Sequence, residues 1–226
     1  MPDEIVYLDS YAYIGQRGPI DPEARWSTDS LIDEMSHVGI HGALVTHSIA
    51  KEYDPAYGND LLTDELAKNP RLLGCWVLLP HHFGEMVPGG QLVEQMLDNG
   101  IRAARLCPNT HHYTLDKSTS GEILSALEAQ TIPLCIEGSA ADYGTLGWLC
   151  EAYPKLPVLF QQNSWADIRK LLPIMDRCDN LHTEFSTNQS NYAIERFAER
   201  YGAERLLLGT EAQFKSPGAA KAFVDY

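Results

Sequence analysis

Apolar and polar positions alternate along this chain on two scales. Short runs rich in β-branched, aliphatic and aromatic residues recur as "EIVYLD" (4–9), "GALVTH" (42–47), "LLGCWVLL" (72–79), "IRAARL" (101–106), "IPLCIE" (132–137), "PVLFQ" (157–161), "LHTEF" (181–185) and "RLLLGT" (205–210). Runs of this length and composition predict buried strands. Between them the apolar positions return at helical spacing, with readable ends. "STDSLIDEMSHVG" offers Ser27 or Thr28 as a cap and Gly39 as a stop, "NDLLTDELAKNP" runs into Asn69-Pro70, "GGQLVEQMLDNG" stops at Asn99-Gly100, and "SGEILSALEAQ" precedes Ile132. Pro173 in "SWADIRKLLPIMDR" predicts a helix that kinks or ends nearby, because proline lacks the backbone donor a helix needs.

Strand and helix in alternation signal a parallel sheet covered by helices. Eight runs suit an α/β fold of the closed (β/α)8 TIM-like barrel type, whereas an open doubly wound sheet would use the same alternation with fewer strands. After the eighth run, "SPGAAKAFVDY" leaves about three turns of helix, a shortened end for a barrel. A chain of 226 residues is ordinary for one such domain, and the expectation is a single barrel over 1–226.

Composition narrows the partners. The net charge of −14 repels phosphate backbones and anionic lipid surfaces, so nucleic acid and membranes are excluded as expected partners, while self-association stays open. Five cysteines stand singly at Cys75, Cys107, Cys135, Cys150 and Cys178, without CxxC spacing, which fits reduced thiols and a cytoplasmic protein. "MPDEIVYLDS" has no basic flank, and no window approaches the ~18 apolar residues of a membrane span. No Walker loop, GxGxxG or GxSxG occurs.

In a barrel, chemistry belongs at the carboxyl ends of the strands. The polar residues there are Asp9, Tyr11 and Tyr13 after the first run, His47 after the second, His81 and His82 after the third and Arg105 on the fourth. They continue with Glu137 ending the fifth, Gln161, Gln162 and Asn163 after the sixth, Glu184 on the seventh, and Thr210 and Glu211 after the eighth. His47 and His81 are candidate catalytic groups because imidazole titrates near neutrality. Glu137 and Glu211 are candidate proton carriers, and with Glu184 could converge as hard oxygen donors, although ordinary paired carboxylates are the commoner arrangement. Arg105 could clamp a substrate carboxylate or be tied up in a salt bridge to Glu137 or Glu184. Tyr11, Tyr13, Gln162 and Glu184 complete the expected substrate-binding set, while Trp76, inside a run, reads as core.

The flanks of these positions resemble the amidohydrolase superfamily, in its amidohydrolase-related branch of metal-dependent barrels containing decarboxylases and lactonases. The resemblance rests on "YLDSYAYIG", "YDPAYGNDLLTDELAKNPRLLGCWVLLP", "GIRAARLCP", "IPLCIEGS", "YPKLPVLFQQN" and "YGAERLLLGTE". It implies D-x-H-x-H-x-G after the first strand, histidines ending the fifth and sixth, and an aspartate after the eighth. Here Tyr11 and Tyr13 stand for the histidine pair, Glu137 and Gln162 for the later histidines, and Glu211 for the aspartate. Neutral phenols and an amide cannot reproduce a zinc-type ligand field, so the expectation is a degenerate metal site with no metal and no cofactor. Two functions follow from the resemblance. One is a metal-independent hydrolase or lyase acting on a small carbonyl or carboxylate compound. The other is a non-catalytic relative acting as a ligand-binding or structural protein.

Overall fold

A computed structural model describes residues 5–18, 25–188 and 190–225. Eight parallel strands stand in sequence order: β1 (Leu8–Ile14), β2 (Gly42–His47), β3 (Leu72–Val77), β4 (Ala103–Arg105), β5 (Leu134–Glu137), β6 (Val158–Gln161), β7 (Leu181–Glu184) and β8 (Leu206–Leu207). The short β8 leaves the seam to the segment that follows it. There Ser10 N donates to Leu208 O at 2.8 Å, Glu211 N to Tyr11 O at 2.8 Å and Tyr13 N to Ala212 O at 2.7 Å, bringing the last strand back to the first. The result is a nearly closed (β/α)8 barrel, as the eight apolar runs predict.

The helices are α1 (Thr28–Val38), α2 (Ser48–Glu52), α3 (Pro55–Leu66), α4 (Gly89–Asp98), α5 (Lys117–Ala129), α6 (Tyr143–Ala152), α7 (Ile168–Met175), α8 (Ala193–Tyr201) and α9 (Pro217–Asp225). Their ends follow local chemistry. The Ser27 hydroxyl caps α1 by accepting from Ser30 N, and Gly39, at a left-handed φ of 75°, closes it. Asp54, Asp116 and Asp142 do the same at the starts of α3, α5 and α6. Pro173 lies within α7, which ends two residues later. The main core fills the space between helices and barrel wall, joining Leu31, Met35, Trp76, Met96, Leu124 and Phe160.

One boundary needs correction, and it matters for the site. Of the run 4–9, Glu4 lies outside the described residues and 5–7 are not strand; β1 begins at Leu8 and carries Tyr11 and Tyr13 within its length, past a register shift between Asp9 and Ala12. The pairing of Ala12, Tyr13 and Ile14 with Val45, Thr46 and His47 holds this segment extended, and tyrosine suits a strand. Both rings are therefore buried, each with no exposed surface. Among the described residues no helix is long and apolar enough to cross a membrane.

Candidate functional site

The strand ends gather a buried ionic centre. Glu137, the last residue of β5, accepts from Lys51 Nζ at 2.7 and 2.6 Å through its two oxygens and from Arg105 Nη1 at 2.8 Å, and the Tyr13 hydroxyl also donates to it. The third Lys51 proton reaches the Tyr13 oxygen at 2.9 Å. Arg105 Nε donates to Thr46 Oγ1 at 3.2 Å. Side-chain exposure is 4% at Glu137, 2% at Arg105 and 10% at Lys51, so these charges rely on one another rather than on water. Burial works to raise the Glu137 carboxyl, but Arg105, Lys51 and the hydrogen bonds from Lys51 and Tyr13 outweigh it and hold it at about 2.

Aromatic rings wall this centre. The Arg105 guanidinium lies 5.3 Å from the Tyr11 ring centre and 5.6 Å from that of Tyr13, and Lys51 Nζ lies 4.8 Å from Tyr13. Arg17, from the loop after β1, covers Tyr13 at 5.4 Å and Phe214 at 4.6 Å while its Nε meets Glu52 at 2.6 Å. Burial raises both phenols well above their ordinary range, so they stay neutral. The Tyr11 hydroxyl is buried and has no hydrogen-bond partner among the described residues.

A second polar group adjoins it. Gln162 and Glu211 occupy the left-handed region at φ 56° and 57°, which residues other than glycine seldom adopt. The Gln162 amide donates to Glu211, whose other oxygen lies 2.7 Å from Lys215 Nζ. Glu184 accepts from Gln162 N at 2.7 Å and from Ser186; burial raises its pKa, with Glu211 adding to the effect. Asp9 accepts from Tyr11 N, Thr210 N and the Thr210 hydroxyl, and burial outweighs these bonds to push it up to about 7.

The structure brings Tyr11, Tyr13, Arg105 and Glu137 into one cluster and places Gln162, Glu184 and Glu211 in the adjoining one. The two imidazoles stand elsewhere. His47 caps α2, its Nδ1 accepting from Ile49 N at 3.2 Å, and burial lowers its pKa. The same ring explains the glycine of "YLDSYAYIG": Gly15 has φ 82°, and a Cβ there would lie 2.5 Å from the His47 ring. His81 sits on a single turn after β3, with its Nδ1 3.3 Å from the Glu122 carboxylate. Arg105 takes the salt bridge to Glu137 that was one of its two expected roles, and Trp76 is core, with 7% exposure.

Lys51 is the residue that sequence reasoning missed. In "SIAKEYD" it looks like a surface charge, and its partner lies 86 positions away. The available signal was its place four residues beyond the end of β2, in a segment that must pass over the barrel mouth.

The donor set does not fit a catalytic metal. Where such an ion would need imidazole and free carboxylate, it would meet the Tyr11 and Tyr13 phenols, the Gln162 amide, a Glu137 already neutralised by Lys51 and Arg105, and a Glu211 already paired with Lys215. Among the described residues no group of three or more His, Cys, Asp or Glu side chains is placed to hold a metal ion.

No family model matches the sequence, and no curated protein matches it either. Solved structures do. The 2,6-dihydroxybenzoate decarboxylase from Rhizobium superposes with a TM-score of 0.74 at 16% identity, over 98% of this chain and 91% of that one. A 5-carboxyvanillate decarboxylase from Novosphingobium aromaticivorans, with bound manganese, gives 0.74 at 13%, over 97% and 90%. A TIM-barrel protein from Bordetella bronchiseptica gives 0.74 at 15%, over 98% and 92%. At these identities the likeness is one of fold. It agrees with the barrel fold that the sequence resemblance implies.

Proposed function

We propose that this chain is an amidohydrolase-like barrel that acts by binding rather than by turnover, its inherited metal position having been filled by an internal ion cluster. The observation that carries this reading is the mutual saturation of Lys51, Glu137, Arg105 and Tyr13. All three Lys51 protons have acceptors, and the Glu137 oxygens together take bonds from Lys51, Arg105 and Tyr13. A substrate would have to break a buried ion pair before meeting any of these groups, at a cost of several kcal/mol with no compensating contact. The fixed cations also supply the positive charge that a metal would supply, so the carboxylate at the end of β5 is stable without one.

A second reading is a metal-independent hydrolase or lyase acting on a small carbonyl or carboxylate compound. The unpartnered Tyr11 hydroxyl favours it, as do the left-handed backbones of Gln162 and Glu211, because strained residues and unsatisfied polar groups gather at reactive sites. In that case Tyr11 or Glu211 would meet the substrate and Arg105 would orient it.

Incubation with 2,6-dihydroxybenzoate, 5-carboxyvanillate and a simple lactone, with and without manganese, separates the two. Binding without turnover predicts product no faster than in buffer. Catalysis that is lost in Glu211→Gln and in Tyr11→Phe would replace the first reading with the second.

A further inference from the structure

The opposite end of the barrel has a different character. At the amino ends of the strands lies a half-open cavity of about 690 Å³, within the range of small-molecule pockets. Its floor includes Leu159 and Cys135, in the layer of barrel-interior side chains that also holds Cys75 and Ala103. At its edge Leu8 and Leu73 remain 58% and 59% exposed. The backbone there has little to offer a polar ligand. Pro133 and Pro157 lack N–H groups, and their carbonyls already accept from Ala104 N at 2.9 Å and Leu134 N at 2.8 Å.

The charge of this cavity runs against that of the whole protein. The chain carries 31 acidic residues against 17 basic, yet the cavity is lined by Arg71 and Arg102, with His41 and His182 beside them. Among the described residues the one acidic side chain lining it is Asp9, whose carboxylate is turned to Thr210 and the backbone. Arg71 is held in place, donating to Ile40 O at 2.6 Å, His41 O at 2.8 Å and Ser36 Oγ at 2.8 Å. Arg102 donates to Leu97 O and Ile101 O through one nitrogen and is otherwise exposed. An apolar well with a cationic rim on an acidic protein suits a molecule with an alkyl body and one negative head.

We infer that this cavity is a binding site for a free alkyl carboxylate of medium length, its chain against Leu8, Leu73 and Leu159 and its head at Arg102 and Arg71. The inference rests on the binding half of the function proposed above and names its ligand class. Its failure is separately visible, because it is read by affinity at the barrel floor and not by turnover at the mouth.

Titration calorimetry with decanoate and with decanol tests it, on the whole chain and on Arg102→Glu and Leu73→Asp. Both substitutions lie on exposed side chains, and unchanged thermal midpoints would verify that the variants fold. One saturable decanoate site per chain is expected, at least about tenfold tighter than decanol and weakened at least about tenfold in each variant, as loss of a charge-assisted contact or of apolar area requires. The inference is overturned if decanoate does not saturate, if decanol binds as tightly, or if both variants bind like the parent. It is also overturned if sedimentation shows a dimer that Leu73→Asp dissolves, since a second copy of the chain would then be the occupant.

Discussion

At the carboxyl ends of the strands Lys51, Arg105 and Glu137 satisfy one another in a nearly dry centre, whereas at the amino ends Leu8 and Leu73 stand open around an apolar well. The same eight strands build both. Buried charges are tolerated only when paired, so the polar end is rigidly interdependent and loses much when any one member is removed. Exposed leucines depend on nothing, so the apolar end can be changed cheaply and is free to bind. Sensitivity to the loss of a single side chain is therefore concentrated at the end where barrels of this kind carry out chemistry, and the proposed binding capacity at the other.

The sharpest way to break that contrast is Lys51→Met. Glu137 would keep Arg105 but lose two hydrogen bonds and a counter-charge, and chemical denaturation should record a loss of about 3–5 kcal/mol. Leu73→Asp should cost within about 0.5 kcal/mol in the same experiment, as exposed substitutions do. Equal losses at the two ends would remove the distinction.

Next in size is a pH effect. Asp9 has a pKa of about 7 when folded and an ordinary value of 3.8, so the folded state holds its proton through the interval where the unfolded state has lost it. Stability from this group is fully present below the unfolded value and declines as pH rises to about 7, by up to about 4 kcal/mol. Glu184, also raised, adds in the same direction. Glu137 acts oppositely: its contribution is present above its ordinary 4.5 and lost only as pH falls toward about 2. Denaturation midpoints from pH 4 to 8 should fall for the parent protein and stay flatter for Asp9→Asn. A parallel fall in both would refute the assignment to Asp9.

The smallest effect sharpens the reading of the mouth. Tyr11→Phe removes a buried hydroxyl that has no partner among the described residues, and should leave stability unchanged or raise it by about 1 kcal/mol. Tyr13→Phe, which removes a donor to Glu137 and an acceptor for Lys51, should instead destabilise by about 1–3 kcal/mol. Destabilisation of similar size in Tyr11→Phe would mean that its hydroxyl has a partner after all.

Much of this architecture was legible in the sequence because strand periodicity is local. "GALVTH" is β2 residue for residue, and the runs ending at Glu137 and Gln161 end where β5 and β6 do. "SYAYI" was less legible, since serine and tyrosine beyond an aspartate look like a loop until β2 is placed alongside them. The Arg105 to Glu137 ion pair could be anticipated from two charges at neighbouring strand ends. Lys51 could not be assigned from local pattern, because a lysine on a one-turn helix has no feature that distinguishes a buried partner from solvent. The cavity at the amino ends was also hidden: it is made by Leu8, Leu73, Leu159 and two arginines from separate turns, which only barrel closure brings together.

In the proposed function, fixed cations at Glu137 take the place of a catalytic metal. Elemental mass spectrometry tests it most directly, on protein grown with zinc, manganese and magnesium and purified without chelator. The ion cluster predicts metal far below stoichiometry in the parent chain. About one zinc or manganese per chain, lost in Glu137→Gln and Glu211→Gln, would contradict it, since Glu137 would then be a ligand and not the partner of Lys51 and Arg105, and Glu211 a ligand and not the partner of Gln162 and Lys215.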